Sequence, residues 1–226
     1  MVETCFLDIE NGKVLEIVRI LLNCRNKWGD ASVTKISEEY KSPFHVLVSC
    51  VLSLRTKDEV TSAASARLFA RANSPEELLN VPVTELERLI YPVGFYKTKA
   101  KNLHRMCEQL LQRFGGRVPA DFDLLVSLPG VGRKTANLVL SKGFGVPAIC
   151  VDTHVHRISN RLGWINTKTP EQTEKELKKL LPREYWIEIN DLLVPFGQKV
   201  CQPVSPWCSK CDVEKLCAKY GVGRSR

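Results

Sequence analysis

The sequence predicts an all-α protein of about ten helices or more, on three observations. Apolar residues recur at helical spacing, as in Leu103, Met106, Cys107, Leu110, Leu111 and Phe114, which lie at steps of 0, 3, 4, 7, 8 and 11. Helix-start signals that pair a capping residue with proline at the first helical position recur along the chain. The only extended stretch, Pro147 to Val151, is too short and isolated to found a sheet.

Taken in order, Val14, Leu15, Val18, Leu21 and Leu22 form the apolar stripe of an N-terminal helix, which Gly29 separates from the next helical segment. Ser42-Pro43 opens a helix whose apolar run, Phe44 to Leu54, is broken by His45 and by serines. His45 there reads as a packed residue. Ser74-Pro75-Glu76-Glu77 opens another helix, and Gly94 precedes the long helix carrying the 103–114 stripe, which Gly115-Gly116 closes. Tyr91-Pro92-Val93-Gly94 is echoed by Pro129-Gly130-Val131-Gly132, as expected where helix–turn–helix connections reuse proline and glycine. Phe122, Leu124, Leu125 and Leu128 belong to one further helix, and Leu138, Val139 and Leu140 to the next. A helix from Thr153 to about Leu162 ends at Gly163, and Thr169-Pro170-Glu171 opens the helix after it.

Length and composition set bounds. The 226 residues can form one large domain or two small ones. Apolar content of 44% and charged content of 26% are those of an ordinary globular chain. No apolar run approaches the length of a membrane span, and Met1-Val2-Glu3-Thr4 lacks the basic and apolar regions of a secretory signal. An intracellular location is expected, cytoplasmic at the nucleoid if the source is prokaryotic. Lys and Arg outnumber Asp and Glu by 33 to 25, giving +8. That balance favours polyanionic partners and gains force where charge flanks a clamping element.

Such an element lies at Leu128-Pro129-Gly130-Val131-Gly132-Arg133-Lys134-Thr135. Gly130 and Gly132 allow unusual backbone angles and close approach, and a glycine turn opening onto a helix presents N–H groups and the positive helix end to a phosphate. Lys134 sits in the first turn of that helix. The helix end and Arg133 both disfavour a second positive charge, which lowers the pKa of the lysine and makes its amine a nucleophile able to form a Schiff base. Asp152 follows eighteen residues later in Val151-Asp152-Thr153-His154. It reads as the cap of the next helix, a role compatible with a catalytic one. His154 and His156 flank that helix start and could touch substrate.

The sequence has nine cysteines. Cys5, Cys24, Cys50, Cys107 and Cys150 fall in apolar patterns as small buried hydrophobes. Cys201, Cys208, Cys211 and Cys217 follow C-x6-C-x2-C-x5-C, a metal-binding spacing that suits either zinc or a cubane iron–sulfur cluster.

These residues together resemble the endonuclease III family of DNA glycosylases, in the helix-hairpin-helix superfamily. The hairpin motif at 128–137, Val-Asp-Thr-His-Val-His-Arg at 151–157 and the four-cysteine spacing occur in family order, and the resemblance runs from about residue 14 to Cys217. It implies two helical domains: residues 37–148 as a six-helix domain containing the hairpin, and residues 1–36 with 149–226 as a discontinuous domain. The latter would hold a 4Fe–4S cluster on the four cysteines, and a DNA-binding cleft would lie between the domains. It also implies a monomeric bifunctional enzyme that excises oxidised pyrimidines from double-stranded DNA and cleaves abasic sites, with Lys134 and Asp152 catalytic. Leu128, Gly130, Gly132, Arg133, Thr135, Arg55 and His154 are the expected DNA contacts. Two positions depart from the family pattern. Arg55 stands where a glutamine is usual, in the loop that would fill the gap left by the flipped nucleotide. The segment between Cys201 and Cys208 has no basic residue, where relatives often carry several. The alternatives are a thymine or adenine mismatch glycosylase of the same superfamily and, more distantly, a non-catalytic DNA-binding module.

Overall fold

The computed structural model describes the backbone of residues 2–226 and side chains from residue 12 onward. Cys5, expected as a buried hydrophobe, lies outside those side chains. Among the described residues there are twelve α-helices, four short 3-10 turns and no strand. The chain divides into two compact units, residues 31–148 and residues 1–30 with 149–226.

The 31–148 unit contains α2 (Ser32–Tyr40), α3 (Pro43–Ser53), α4 (Asp58–Phe69), α5 (Pro75–Leu79), α6 (Val83–Ile90), α7 (Tyr96–Phe114), α8 (Phe122–Val126) and α9 (Arg133–Phe144). Helix α3 is its centre. Every residue from Phe44 to Leu52 is buried, as befits a helix apolar on all sides, and α2, α4, α7 and α9 pack around it. A Cβ on Gly143 of α9 would lie only 3.2 Å from the Pro43 Cα, so this glycine lets the two helices approach closely. Residues 31–36 were expected with the N-terminal segment. They form most of α2, which packs on α3 and α4, and so belong to this unit.

His45 is buried, as expected, stacked on Tyr40 at 4.5 Å and bonded through Nε2 to Asn73 Oδ1 at 3.1 Å. In α5, Ser74 Oγ accepts from Glu77 N at 3.1 Å while the Glu77 carboxylate accepts from Asn73 N at 2.7 Å. Along α7, Leu103, Met106, Cys107 and Leu110 are fully buried, whereas Leu111 and Phe114 are only half-buried. His104, beside Lys101 and Arg105, is half-buried and 3.2 Å from the Leu79 carbonyl.

The other unit contains α1 (Val2–Cys24), α10 (Thr153–Leu162), α11 (Pro170–Leu180) and α12 (Glu188–Lys199). Its core joins both ends of the chain: Val14, Ile17, Val18 and Leu21 of α1 pack with Val155 and Ile158 of α10 and Leu193 and Phe196 of α12. Thr169 caps α11 by accepting from Gln172 N, as its sequence signal requires. The stretch from Pro147 to Val151 is irregular, not a strand.

Candidate active site

In the 31–148 unit, α8 and α9 form the hairpin expected from the sequence. Leu128 is 2% exposed and anchors the turn, with the Val131 N–H donating to its carbonyl at 3.1 Å. Gly130 has φ +81, a left-handed angle that favours glycine, and a Cβ there would sit 3.2 Å from Asn102 Nδ2. Gly132 differs from expectation. Its φ of −103 and ψ of 179 are ordinary extended backbone, and a Cβ there would meet nothing within 4 Å. This residue therefore leaves open space in front of the helix end.

Gly132 is the N-cap of α9 and supplies no side-chain cap. A helix end of this kind presents its first N–H groups and its positive pole outward. Lys134 lies in that first turn, half-buried. Arg133 is exposed, with its guanidinium 4.9 Å over the Phe122 ring. Thr135 was expected among the DNA contacts, as was Leu128. Each is only 2% exposed, because both side chains anchor the hairpin in the core, and only their backbone groups are left to meet a phosphate.

Arg55 is exposed in the turn after α3 at φ +51. Its guanidinium lies 5.6 Å from the ring of Phe95, itself 63% exposed at φ +60. Phe95 was not singled out from sequence. An aromatic directly after Gly94, at the start of a helix, was the available signal. Arg55, Phe95 and Gly130 line one open pocket together with Lys99 and Asn102.

In the other unit, Asp152 is the N-cap of α10. Its Oδ1 accepts from both His154 N and Val155 N at 2.9 Å, while Oδ2 accepts no hydrogen bond from a described residue. The cap therefore uses one oxygen and leaves the other available. His154, expected as a DNA contact, is half-buried at the start of α10. Its ring packs over Gly197, where a Cβ would be 2.4 Å from Nδ1, and Arg157 Nη2 lies 3.1 Å away. His156 is tied to Thr173 Oγ1 at 2.7 Å, within a network that includes Thr167 and Asn160.

Cys201, Cys208, Cys211 and Cys217 are outside any disulfide and line one pocket together. Leu162, Phe196, Val200, Trp207 and Val213 supply its apolar remainder. Burial pushes the Cys211 thiol up to about 12 and raises Cys217 as well. Among the described residues, no three His, Cys, Asp or Glu side chains converge on a point where they could hold a single metal ion.

Two arginines that sequence reading missed fasten this region to α10. Arg157 donates to the Cys201 carbonyl at 2.8 Å, and Arg161 to those of Gln202 and Pro203 at 2.7 Å. The side chain of Arg226 brings a positive charge to the 202–207 segment that lacks one, lying 4.0 Å over Trp207 and bonded to Gln202 Oε1 at 2.7 Å.

Comparison with known proteins agrees with this geometry. The family described as HhH-GPD superfamily base excision DNA repair protein matches residues 48–183. Endonuclease III of Thermotoga maritima is 50% identical over 178 residues, covering 79% of this chain and 84% of that protein. Among solved structures, a trapped endonuclease III–DNA covalent intermediate matches with a TM-score of 0.75 at 41% identity, covering 79% of this chain and 84% of that one. A thermostable thymine-DNA glycosylase matches with a TM-score of 0.80 at 25% identity, covering 92% and 96%. With hairpin, capping aspartate and cysteine cavity in place, the chain belongs to the endonuclease III family, within the HhH-GPD superfamily of base excision DNA repair proteins.

Proposed function

We propose that the chain, as a monomer, removes oxidised pyrimidines from double-stranded DNA and cuts the strand at the abasic site left behind. Lys134 is the nucleophile and Asp152 its electrostatic partner. The observation that carries this reading is the setting of Lys134, half-buried in the first turn of a helix with no side-chain cap. The glycine turn and helix end grip the DNA backbone, and the damaged nucleotide is flipped out of the stack.

The lone pair of the neutral Lys134 amine attacks C1′ of the deoxyribose. The bond from C1′ to the base breaks, and its electron pair leaves with the base, which takes up a proton. The attached nitrogen gives up a proton to the ring oxygen as the sugar opens, leaving an iminium at C1′. That iminium acidifies C2′, whose proton is lost as the 3′ phosphate oxygen departs with its bonding pair. The strand is nicked 3′ to the lesion, and water releases Lys134 as the free amine. The charge on Asp152 stabilises the cationic sugar, and its carboxylate accepts, on the way to the ring oxygen, the proton that the attacking amine sheds.

A panel of duplexes bearing an oxidised pyrimidine, an abasic site or a G·T mismatch tests the reading. Excision and nicking of the first, nicking of the second and a borohydride-trapped protein–DNA adduct are expected. Excision confined to the G·T duplex would instead favour a thymine mismatch enzyme, for which the 0.80 TM-score is the observation in favour. Binding without turnover would leave a non-catalytic module. Arg55 fills the gap left by the flipped nucleotide and, as a planar donor able to pair with guanine, favours lesions opposite guanine. In Arg55→Gln that preference should disappear. Unchanged ratios of excision rate across the four opposite bases would remove Arg55 from this role.

The four cysteines are proposed ligands of a 4Fe–4S cluster. A zinc ion needs four sulfurs converging at about 2.3 Å on one point, whereas a cubane takes one cysteine on each of four irons. The four cysteines share the lining of one largely apolar pocket, which supports a common site for such a cluster. When bound, the cluster supplies cross-links that hold residues 201–217 together. Purified protein should be yellow-brown and contain iron with acid-labile sulfide. Cys208→Ser should lose both and lower thermal stability and DNA binding together. Stoichiometric zinc in protein made anaerobically would sink the assignment.

A further inference from the structure

Lys99 of α7 is only 6% exposed and, among the described residues, has no carboxylate partner. Its Nζ donates to the Leu52 carbonyl at 2.8 Å, to the Leu54 carbonyl and to Thr56 Oγ1 at 3.2 Å. Three donated bonds use all three hydrogens of an ammonium, so this lysine is charged and is not a second nucleophile. A buried cation facing only neutral oxygens is costly, and desolvation pushes its pKa down to about 8. The negative end of α3 offsets part of that cost.

What the ammonium holds is a junction of two turns. Thr56 Oγ1, one of its acceptors, also accepts from Gly94 N at 3.1 Å. A Cβ on Gly94 would stand 2.5 Å from the Arg55 carbonyl, so only glycine lets the turns meet this closely. Each turn carries one non-glycine residue in the left-handed region, Arg55 at φ +51 and Phe95 at φ +60. Such residues hold that conformation only where their surroundings fix it. Their side chains stack at 5.6 Å on the exposed side of the junction.

We propose that Lys99 is a positioning residue for base discrimination, locking the two turns so that Arg55 and Phe95 meet the strand opposite the lesion as one rigid pair. The specificity half of this inference rests on the glycosylase reading above, while the positioning half stands on the chain alone.

The test uses the full protein as parent, Lys99→Met, and Thr56→Val as a milder second variant. Single-turnover excision is read for one oxidised pyrimidine opposite each of the four bases, together with hydrogen exchange at residues 53–57 and 91–96 and nicking of single-stranded abasic DNA. In Lys99→Met, exchange at the Thr56 and Gly94 amides should speed at least ten-fold and opposite-base preference should flatten at least five-fold. Nicking of single-stranded abasic DNA should stay within two-fold of the parent. Thr56→Val should move the first two readouts in the same direction by less. Adding Lys99→Met to Arg55→Gln should change the preference no further, because the two substitutions act on one unit.

A merely structural lysine would instead slow excision equally opposite all four bases, and that outcome overturns the proposal. Unchanged exchange in Thr56→Val overturns positioning even if Lys99→Met is too unstable to assay. A parent that excises nothing sinks the glycosylase reading and the specificity half with it, and exchange still decides positioning.

Discussion

Lys134→Gln should yield no borohydride-trapped adduct and no strand nicking, with base excision down by about 10³-fold or more, the scale of losing a nucleophile. Glutamine keeps a polar side chain in the first turn of α9 while removing the amine that forms the covalent bond. Folding should be undisturbed. The residues that fix α9 in the core, Thr135 to Ser141, come after this position and are untouched. DNA binding should also persist, because the glycine turn and helix end are backbone features. The informative pattern is therefore normal binding with no adduct. Normal trapping by the variant would remove Lys134 from the mechanism.

Asp152→Asn should cost two or more orders of magnitude in single-turnover excision, within the range for lost electrostatic or acid–base assistance. The geometry makes this substitution unusually clean. Both capping bonds fall on Oδ1, and asparagine offers an equivalent amide oxygen to His154 N and Val155 N. Asparagine and aspartate are also similar as N-caps, so α10 should keep its start and the protein its melting temperature. What disappears is the negative charge available at Oδ2. Lesion DNA should bind at least as well, since one source of repulsion toward phosphates is gone. A variant with near-parental rates would reduce Asp152 to a cap and leave Lys134 without its partner.

The parts of this site that the sequence made legible are those specified over a few residues. The hairpin, the cap at Asp152 and the caps at Ser74 and Thr169 depend on neighbours within one helical turn. The central helix was likewise visible, because a run such as Phe44 to Leu54 has no solvent face to offer. Contacts made across the fold were not visible. Nothing near Lys99 in sequence points to the Leu52 carbonyl 47 positions away, nor near Arg157 to the carbonyl of Cys201. Their basic side chains read as surface charge until their acceptors are known. Gly132 was misjudged for a related reason: one pattern held two glycines, yet only Gly130 needs a left-handed angle, while Gly132 leaves space open. The metal stayed open because spacing along the chain does not fix how far apart four sulfurs end up.

The core formed by α1 with α10 and α12 draws on both ends of the chain, and this has a consequence for synthesis. Ile17 and Leu21 emerge from the ribosome early, but Leu193 and Phe196, which pack in the same core, are made only after the whole of the other unit. At 5–20 residues per second that interval is roughly ten to thirty seconds. The 31–148 unit has all its sequence in one piece and is free to fold during that time. Helix α1 meanwhile carries an apolar stripe with its partners from α10 and α12 not yet made, so on the ribosome it is synthesised before the other unit and buried only after it.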